Sequence, residues 1–292
     1  MKSLHTLMQI FSSFDEAIYI VDKNRKILYF NPIAERITGF SKDELVGKYC
    51  QNDTLNHVDN QGTKLCIKDC PLVTAIRKNI VMEHQIYLHH KEGHRVPVKV
   101  KTIPYVEDNE TVGGIEVFSL VNKEKFEETY QLAKEKLNYI DPLTKVFNRY
   151  FLEELINGNY PINVYDYDIL FIDADDFKQV NDQFGHLVGD ELLSIISKTI
   201  NLYLDENEYV IRFGGDEFIV LIKKSDKTPE RSETIKNLIN QSSLRNFKFY
   251  PSVSIGVYIT KPNNHLKEAL NNADKALYVS KSMGKNRIHI YK

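Results

Sequence analysis

Apolar residues recur along this chain with two different periods, and the switches between them mark out its elements. Leu4, Leu7, Met8 and Phe11 fall at helical spacing, which predicts a short helix over residues 3–13. Residues 17–21 and 27–30 then read as a β-hairpin around Asp22-Lys23-Asn24-Arg25. Asn31-Pro32 opens a helix to Thr38, with proline at the first helical position, where its missing N–H costs nothing. Gly39-Phe40-Ser41 ends it, and Ser41 with Glu44 has the spacing of a capping box for a second short helix through Val46. A polar stretch follows, in which Asp59-Asn60-Gln61-Gly62 and Lys68-Asp69-Cys70-Pro71 read as turns. Three strands come next, at about 82–90, 96–105 and 112–121, joined by turns at Lys91-Glu92-Gly93-His94 and Asp108-Asn109-Glu110.

The second half alternates period after period. Phe126, Tyr130, Ala133, Leu137 and Ile140 are spaced 4, 3, 4 and 3 apart, an a/d pattern. Residues 122–140 are therefore expected to form a linker helix that pairs with a second copy or packs on its own domain, with Asp141-Pro142 as the stop. Beyond it the pattern predicts a helix over 143–157, a buried strand over 168–174, a short helix at 177–183 and a longer one over 188–203. A hairpin of 209–211 and 218–222 follows, then a helix at 229–244, a strand at 252–258, a helix at 266–283 and a last strand at 287–291. Helices alternating with strands about one hairpin predict an α+β fold, a sheet with helices packed on it. The expected domains are 1–121, a linker of 122–140, and 141–292.

Composition adds limits. A chain of 292 residues is long enough for two domains, and 27% charged residues with a net charge of −2 create no bulk field for nucleic acid or membrane. No apolar run approaches the roughly 18 residues that span a bilayer, and Met1 to Phe11 lacks a cleavage-site pattern, so a cytoplasmic protein is expected.

The candidate chemistry is acidic. Asp173 stands at the end of the apolar run Ile169-Leu170-Phe171-Ile172, and Gly214-Gly215-Asp216-Glu217 forms the hairpin tip. Bare glycine amides beside carboxylates suit a metal-bound phosphate chain. If the two strands are neighbours, Asp173 and Asp216 share a cation, most simply Mg²⁺ or Mn²⁺. Between them, Val180 to Asp190 is polar, is interrupted by two glycines and reads as a binding loop holding Asn181, His186 and Asp190.

These residues carry a resemblance. Asp173 to Lys178, Asn181-Asp182, Phe184-Gly185-His186, Gly189-Asp190 and Gly214 to Phe218 resemble the GGDEF family of diguanylate cyclases. Asp141-Pro142-Leu143-Thr144, Asn148-Arg149, Ser254-Ile255-Gly256 and the run from Ala276 to Arg287 match its remaining landmarks. The resemblance implies a ferredoxin-like βαββαβ core and condensation of two GTP molecules to cyclic di-GMP with release of two pyrophosphates. It implies Asp173, Ala174, Asp216 and Glu217 as metal ligands, with Asp216, Glu217 and Lys178 catalytic. It implies Asn181, His186, Asp190, Gly214, Gly215, Lys281 and Lys285 as GTP-binding residues, the two lysines one helical turn apart on the last helix. A carboxylate at Asp190 can accept both N1–H and the N2 amine of guanine, a donor pair that adenine lacks. Many relatives carry an Arg-x-x-Asp product-inhibition motif where this chain has Asp205-Glu206-Asn207-Glu208, so that site is expected to be absent.

The N-terminal order, with Ile-Tyr-Ile-Val-Asp, Asn-Pro-Ile-Ala and Thr-Gly-Phe-Ser-Lys-Asp-Glu-Leu-Val-Gly, resembles a PAS domain, a curved antiparallel sheet with a helical side. That implies a sensor regulating the cyclase, and a homodimer through the PAS domain and the linker helix. The alternative is a catalytically degenerate GGDEF domain that binds GTP or a partner. Finally, all three cysteines, Cys50, Cys66 and Cys70, lie with His57 in the polar stretch of the first domain. Three thiolates and an imidazole form the ligand set of a zinc site, and sulfur-rich sites also hold iron–sulfur clusters. A metal centre there is the second expectation.

Overall fold

The computed structural model describes residues 2–12, 14–52, 54–121, 139–159, 163–244, 249–262 and 265–291. The chain divides into two compact units, Met1–Val121 and Asn122–Lys292. All but the last two residues of the expected linker helix lie outside the described residues, and the dimer contact expected of it lies there too. None of the helices described is long and apolar enough to cross a membrane.

The first unit contains α1 (Lys2–Phe11), β1 (Ala17–Asp22), β2 (Ile27–Phe30), α2 (Pro32–Thr38), α3 (Lys42–Leu45), α4 (Pro71–Lys78), β3 (Met82–His89), β4 (Arg95–Glu107) and β5 (Glu110–Leu120). Its sheet runs β2-β1-β5-β4-β3 with every neighbour antiparallel. The Asn31 side chain ties the start together: Oδ1 accepts from Ile18 N and Ala34 N, both at 2.9 Å, and Nδ2 donates to Glu16 O at 2.8 Å. A fully bonded buried amide costs nothing to bury and caps α2 at once. The Ser41–Glu44 capping box forms as expected. Helix α4 does not follow from the turn expected at Lys68 to Pro71. Pro71 is its first residue, and Leu72 and Ala75 are buried, so an apolar face just long enough for two turns seals one side of the sheet.

The second unit contains α5 (Arg149–Ile156), β6 (Tyr167–Ala174), α6 (Phe177–Phe184), α7 (His186–Tyr203), β7 (Tyr209–Gly214), β8 (Glu217–Lys223), α8 (Thr228–Asn240), β9 (Val253–Tyr258), α9 (Leu266–Ser282) and β10 (Ile288–Ile290). The sheet order is β10-β9-β6-β8-β7, with β6 antiparallel to both neighbours and β10 parallel to β9. Strands β6 to β9 thus have the ferredoxin-like order, with helices filling both crossovers. Alternation along the strands splits the core in two. Leu170, Ile172, Phe218, Val220 and Ile255 pack with α7 and α8, whereas Ile169, Phe171, Ile219 and Leu221 pack with α5 and α9. Because both faces are covered, β6 is buried along its whole length.

Two expectations change here. The helix expected from 143 starts only at Arg149, where the Asn148 side chain accepts from Phe151 N at 3.2 Å. The preceding residues form a turn in which Asp141 Oδ1 accepts from Thr144 N and Oγ1, at 2.8 and 2.7 Å. The loop expected from 180 to 190 is almost entirely helical, broken only at Gly185, whose φ of +88° closes α6 and opens α7.

Candidate functional site

β6 and β8 bring the acidic residues to one end of the sheet. Asp173 and Glu217 are direct cross-strand partners, and Ala174 N donates to Asp216 O at 3.2 Å across the same ladder. Both side chains fall on the α9 face by alternation with Phe171 and Ile219. Like charges directly opposite on a sheet destabilise it, so this pairing is costly unless a cation relieves it. Here Lys281 Nζ from α9 lies 2.6 Å from Asp173 Oδ2. Burial holds the Asp173 carboxyl above its ordinary range, Lys281 pulls it back, and the charges of Asp216 and Asp175 push it up again. Glu217 is raised in the same way, by burial first and by Asp173 next. Buried Asp168 is a contrast, because Thr228 Oγ1 and Thr260 N donate to it at 2.8 and 2.9 Å and make it a structural acid.

The turn between β7 and β8 is Gly215-Asp216, and Gly215 has a φ of +52°, the left-handed region that glycine enters without a Cβ penalty. Arg212 holds it. Its Nε and Nη2 donate to Gly215 O at 3.1 and 2.8 Å, and Nη1 reaches Asp141 Oδ1 at 3.2 Å. The turn at Asp141–Thr144 is thereby bolted to the acidic hairpin through one half-buried guanidinium. Sequence reasoning missed Arg212, since 71 residues separate it from Asp141 and no local pattern links the two.

Asp175 was missed as well. It is buried, accepts from Ser254 Oγ at 2.7 Å and from Asn286 N at 2.9 Å, and so pins the loop after α9 to the end of β6. Lys285 stands in that loop and not on the helix. α9 stops at Ser282, and Gly284, Lys285 and Asn286 all have positive φ, so the helical-turn spacing expected for Lys281 and Lys285 does not apply. Lys285 Nζ instead meets Asp176 Oδ1 at 2.7 Å. Lys178 is exposed in the first turn of α6, and His186 is exposed at the start of α7.

Asn181 on α6 and Asp190 on α7 belong to the helix pair that leaves this same end of β6. The two helices approach closely at Gly189, where a Cβ would come within 2.0 Å of Asn181 Oδ1. That oxygen is buried and has no hydrogen-bond partner among the described residues. A buried acceptor left open is what a site for an amine or amide donor requires. At the expected product motif, Glu208 is a buried structural acid, held by both Arg231 Nη atoms at 2.6 and 2.7 Å, and Asp205 is exposed.

Oxygen donors alone gather at the acidic edge, and their mutual repulsion is relieved by positive charge. This donor chemistry fits Mg²⁺ or Mn²⁺, which take one or two carboxylates and leave the other positions to water and phosphate. The second expected metal centre finds no support among the described residues. Among the described residues, ligand atoms of three or more His, Cys, Asp or Glu come within 4.8 Å of one another only at His90, Glu92 and His94. Cys50, His57, Cys66 and Cys70 are all buried, but their ligand atoms do not converge. Burial raises all three thiols, Cys66 to about 11, so that they are protonated at neutral pH. His57 faces Glu116 instead, with Nε2 3.5 Å from Oε1.

Comparison with known proteins adds an independent line. The family described as diguanylate cyclase, GGDEF domain, matches residues 138–287, and the PAS domain family matches 15–121. Diguanylate cyclase DosC of Escherichia coli (strain K12) is 32% identical over 166 residues, covering 52% of this chain and 35% of that protein. Probable diguanylate cyclase DgcE of the same strain is 27% identical over 297 residues, covering 96% of this chain and 25% of that protein. The chain thus spans about a third of one curated relative and a quarter of the other. Among solved structures, diguanylate cyclase SiaD from Pseudomonas aeruginosa, in complex with its activator SiaC, is 26% identical with a TM-score of 0.50. That match covers 57% of this chain and 67% of that one.

Proposed function

This chain belongs to the GGDEF-domain diguanylate cyclase family, and from that membership we propose that it condenses two GTP molecules into cyclic di-GMP, releasing two pyrophosphates. The observation that carries this reading is the cross-strand pair Asp173 and Glu217 beside Asp216, with Lys281 drawn onto Asp173.

In this reading Asp173, Asp216 and Glu217, with the Ala174 carbonyl, hold the divalent ion. Bound there, Mg²⁺ would neutralise triphosphate charge and acidify the attacking 3′-hydroxyl. The chain's own residues do the rest. Asp216 accepts the proton of the 3′-hydroxyl, and the Gly214-Gly215 backbone lets the phosphates approach closely. Lys178, Lys281 and Lys285 balance charge that develops as pyrophosphate leaves. Lys281 and Lys285 are kept near the site by Asp173 and Asp176, ready to exchange a carboxylate for a phosphate. Asn181 Oδ1 and the Asp190 carboxylate accept from the guanine edge, and His186 lies at the mouth of the same helix pair. One unit holds one GTP, so two copies must face each other for each 3′-hydroxyl to reach the other α-phosphate. The N-terminal PAS domain regulates that encounter.

The test is to incubate purified protein with GTP and Mg²⁺ and separate the nucleotides by chromatography. Cyclic di-GMP is expected from the parent chain, and Asp216→Asn should lower its rate at least about 100-fold, the scale of losing a preorganised charge. GTP bound but unconverted by the parent chain would identify a binding module instead.

A further inference from the structure

Past Ser282 the chain doubles back in a conformation that residues with a side chain seldom adopt. Gly284 has a φ of +109°, and Lys285 and Asn286 follow at +60° and +48°. Two successive left-handed residues of this kind persist only where their surroundings over-determine them. Lys285 N donates to Ser280 O at 3.2 Å, and Arg287 Nε donates to Lys285 O at 3.1 Å. Asn286 N donates to Asp175 Oδ2 at 2.9 Å, and Asn240 Nδ2 donates to Asn286 Oδ1 at 2.8 Å. Asp175 is itself held fast. It is 4% exposed, its N donates to Ser252 O at 2.9 Å, and its Oδ1 accepts from Ser254 Oγ at 2.7 Å.

We propose that Asp175 is a positioning residue for the triphosphate of GTP. By accepting from Asn286 N it fixes the backbone that carries Lys285, so that the ammonium is delivered to the terminal phosphates. The inference rests on the GTP reading above and adds to that site a residue that acts through another. The Lys285 side chain cannot hold the loop. Its pair with Asp176 is half exposed at both ends, 45% and 44%, and such pairs contribute little. That pair must also break when Lys285 turns to a phosphate. The charge-assisted bond from a backbone N–H to a buried carboxylate is stronger and survives the exchange. Consecutive acids thus divide the work: Asp175 fixes the loop, and Asp176 parks the side chain until phosphate arrives. Binding then does not have to order the loop, a cost that would otherwise be subtracted from affinity.

The experiment reads affinity, so it does not depend on turnover. The full chain with Mg²⁺ is titrated by calorimetry with 3′-deoxy-GTP, which lacks the attacking hydroxyl, and with GMP, which lacks the terminal phosphates. Lys285→Ala should reduce the preference for the triphosphate about tenfold, the scale of one bond between charged groups. Asp175→Ala should reduce it similarly and add nothing further in the Lys285→Ala chain, because both changes remove the same contact. Asp175→Asn should recover most of the preference, since its amide oxygen can accept from Asn286 N while its Nδ2 donates to Ser254 Oγ. A role in folding alone would weaken both nucleotides together. A role through charge at the acidic edge would leave Asp175→Asn as impaired as Asp175→Ala and would add to Lys285→Ala. Either result overturns the proposal, as does an unchanged preference in Asp175→Ala or a parent chain that binds the two nucleotides equally. Should Asp175→Ala not fold, Ser254→Ala, which leaves the carboxylate unaimed, should shift the preference in the same direction, and an unchanged value there overturns the proposal. The expected pattern in a chain that binds GTP without making cyclic di-GMP would uphold the anchor and overturn the cyclase reading.

Discussion

Glu116 gives the sharpest physical test of the first unit. It sits on β5 opposite Tyr19 of β1 and Thr102 of β4, is 2% exposed, and its Oε1 has no hydrogen-bond partner among the described residues. Burial pushes its carboxyl up to about 8, and burial also pushes neighbouring His57 down to about 4. The signs follow from linkage. Between the unfolded value near 4.5 and about 8, the unfolded chain ionises Glu116 while the folded chain keeps its proton, so stability falls as pH rises. For His57 the unfolded chain takes up a proton below about 6.5 and the folded chain does not, so stability falls as pH drops through that range toward 4. The two slopes cancel between about pH 4.5 and 6.5. Above pH 6.5 Glu116 acts alone, over roughly 1.5 units at about 1.4 kcal/mol each, a loss of order 2 kcal/mol by pH 8. Glu116→Gln keeps the shape without the charge and removes the whole Glu116 loss accumulated from the unfolded value of 4.5, including the part that His57 offsets in the parent. At pH 8 the variant should therefore be more stable than the parent by roughly 3.5 pH units at about 1.4 kcal/mol each, of order 5 kcal/mol. The chain contains three cysteines, all buried in this unit, so the reaction rate of its thiols with a thiol reagent reports opening of the unit specifically. At pH 8 the variant's thiols should react roughly 10³- to 10⁴-fold more slowly, the same ~5 kcal/mol expressed as an opening equilibrium. Equal rates in parent and variant at pH 8, or a faster variant, would refute the assignment of a neutral buried Glu116.

Three further outcomes concern the second unit. Asp190→Ser should relax discrimination between GTP and ATP, read as the ratio of kcat/KM values; an unchanged ratio would remove Asp190 from guanine reading. Arg212→Ala strips two donors from the Gly215 carbonyl and leaves half-buried Asp141 without its ion pair, so stability should fall by about 1–3 kcal/mol in urea unfolding. Activity should fall further than that loss explains at temperatures where the variant remains folded, and wild-type kcat in a folded variant would count against the clamp. Added cyclic di-GMP at micromolar concentration should leave the rate unchanged, because Asp205 replaces a clamping arginine and Glu208 is committed to Arg231. Non-competitive inhibition would reveal another product site.

Much of this was legible because it is local. The Ser41 capping box, the Asn31-Pro32 helix start and the Gly214-Gly215 hairpin are each set within a few residues, and each forms as the sequence predicts. The acidic edge could be anticipated in outline, with Asp173 meeting Asp216 once β6 and β8 are neighbours, but the register, which the sequence pattern does not set, places Asp173 opposite Glu217. What could not be read depends on closure of the chain on itself. Arg212 meets Asp141 only after the sheet and the turn dock, and Asp175 meets Asn286 from 111 residues away. Lys285 left its helical register because three successive positive φ angles follow α9, a change that spacing alone hides. The cysteines misled for a related reason. Their clustering in sequence survived as burial in one core, but ligation needs sulfur atoms aimed at one point, and side-chain direction is fixed by packing that spacing does not encode.

The central claim is that the edge formed by Asp173, Asp216 and Glu217 joins two GTP molecules through their α-phosphates. Simultaneous measurement of pyrophosphate and cyclic di-GMP during GTP turnover tests it most directly. The account predicts about two pyrophosphates for each cyclic di-GMP, as that reaction class requires, with both products lost together in Asp216→Asn. Pyrophosphate without cyclic dinucleotide, orthophosphate as the released product, or full turnover in the Asp216→Asn chain would contradict it.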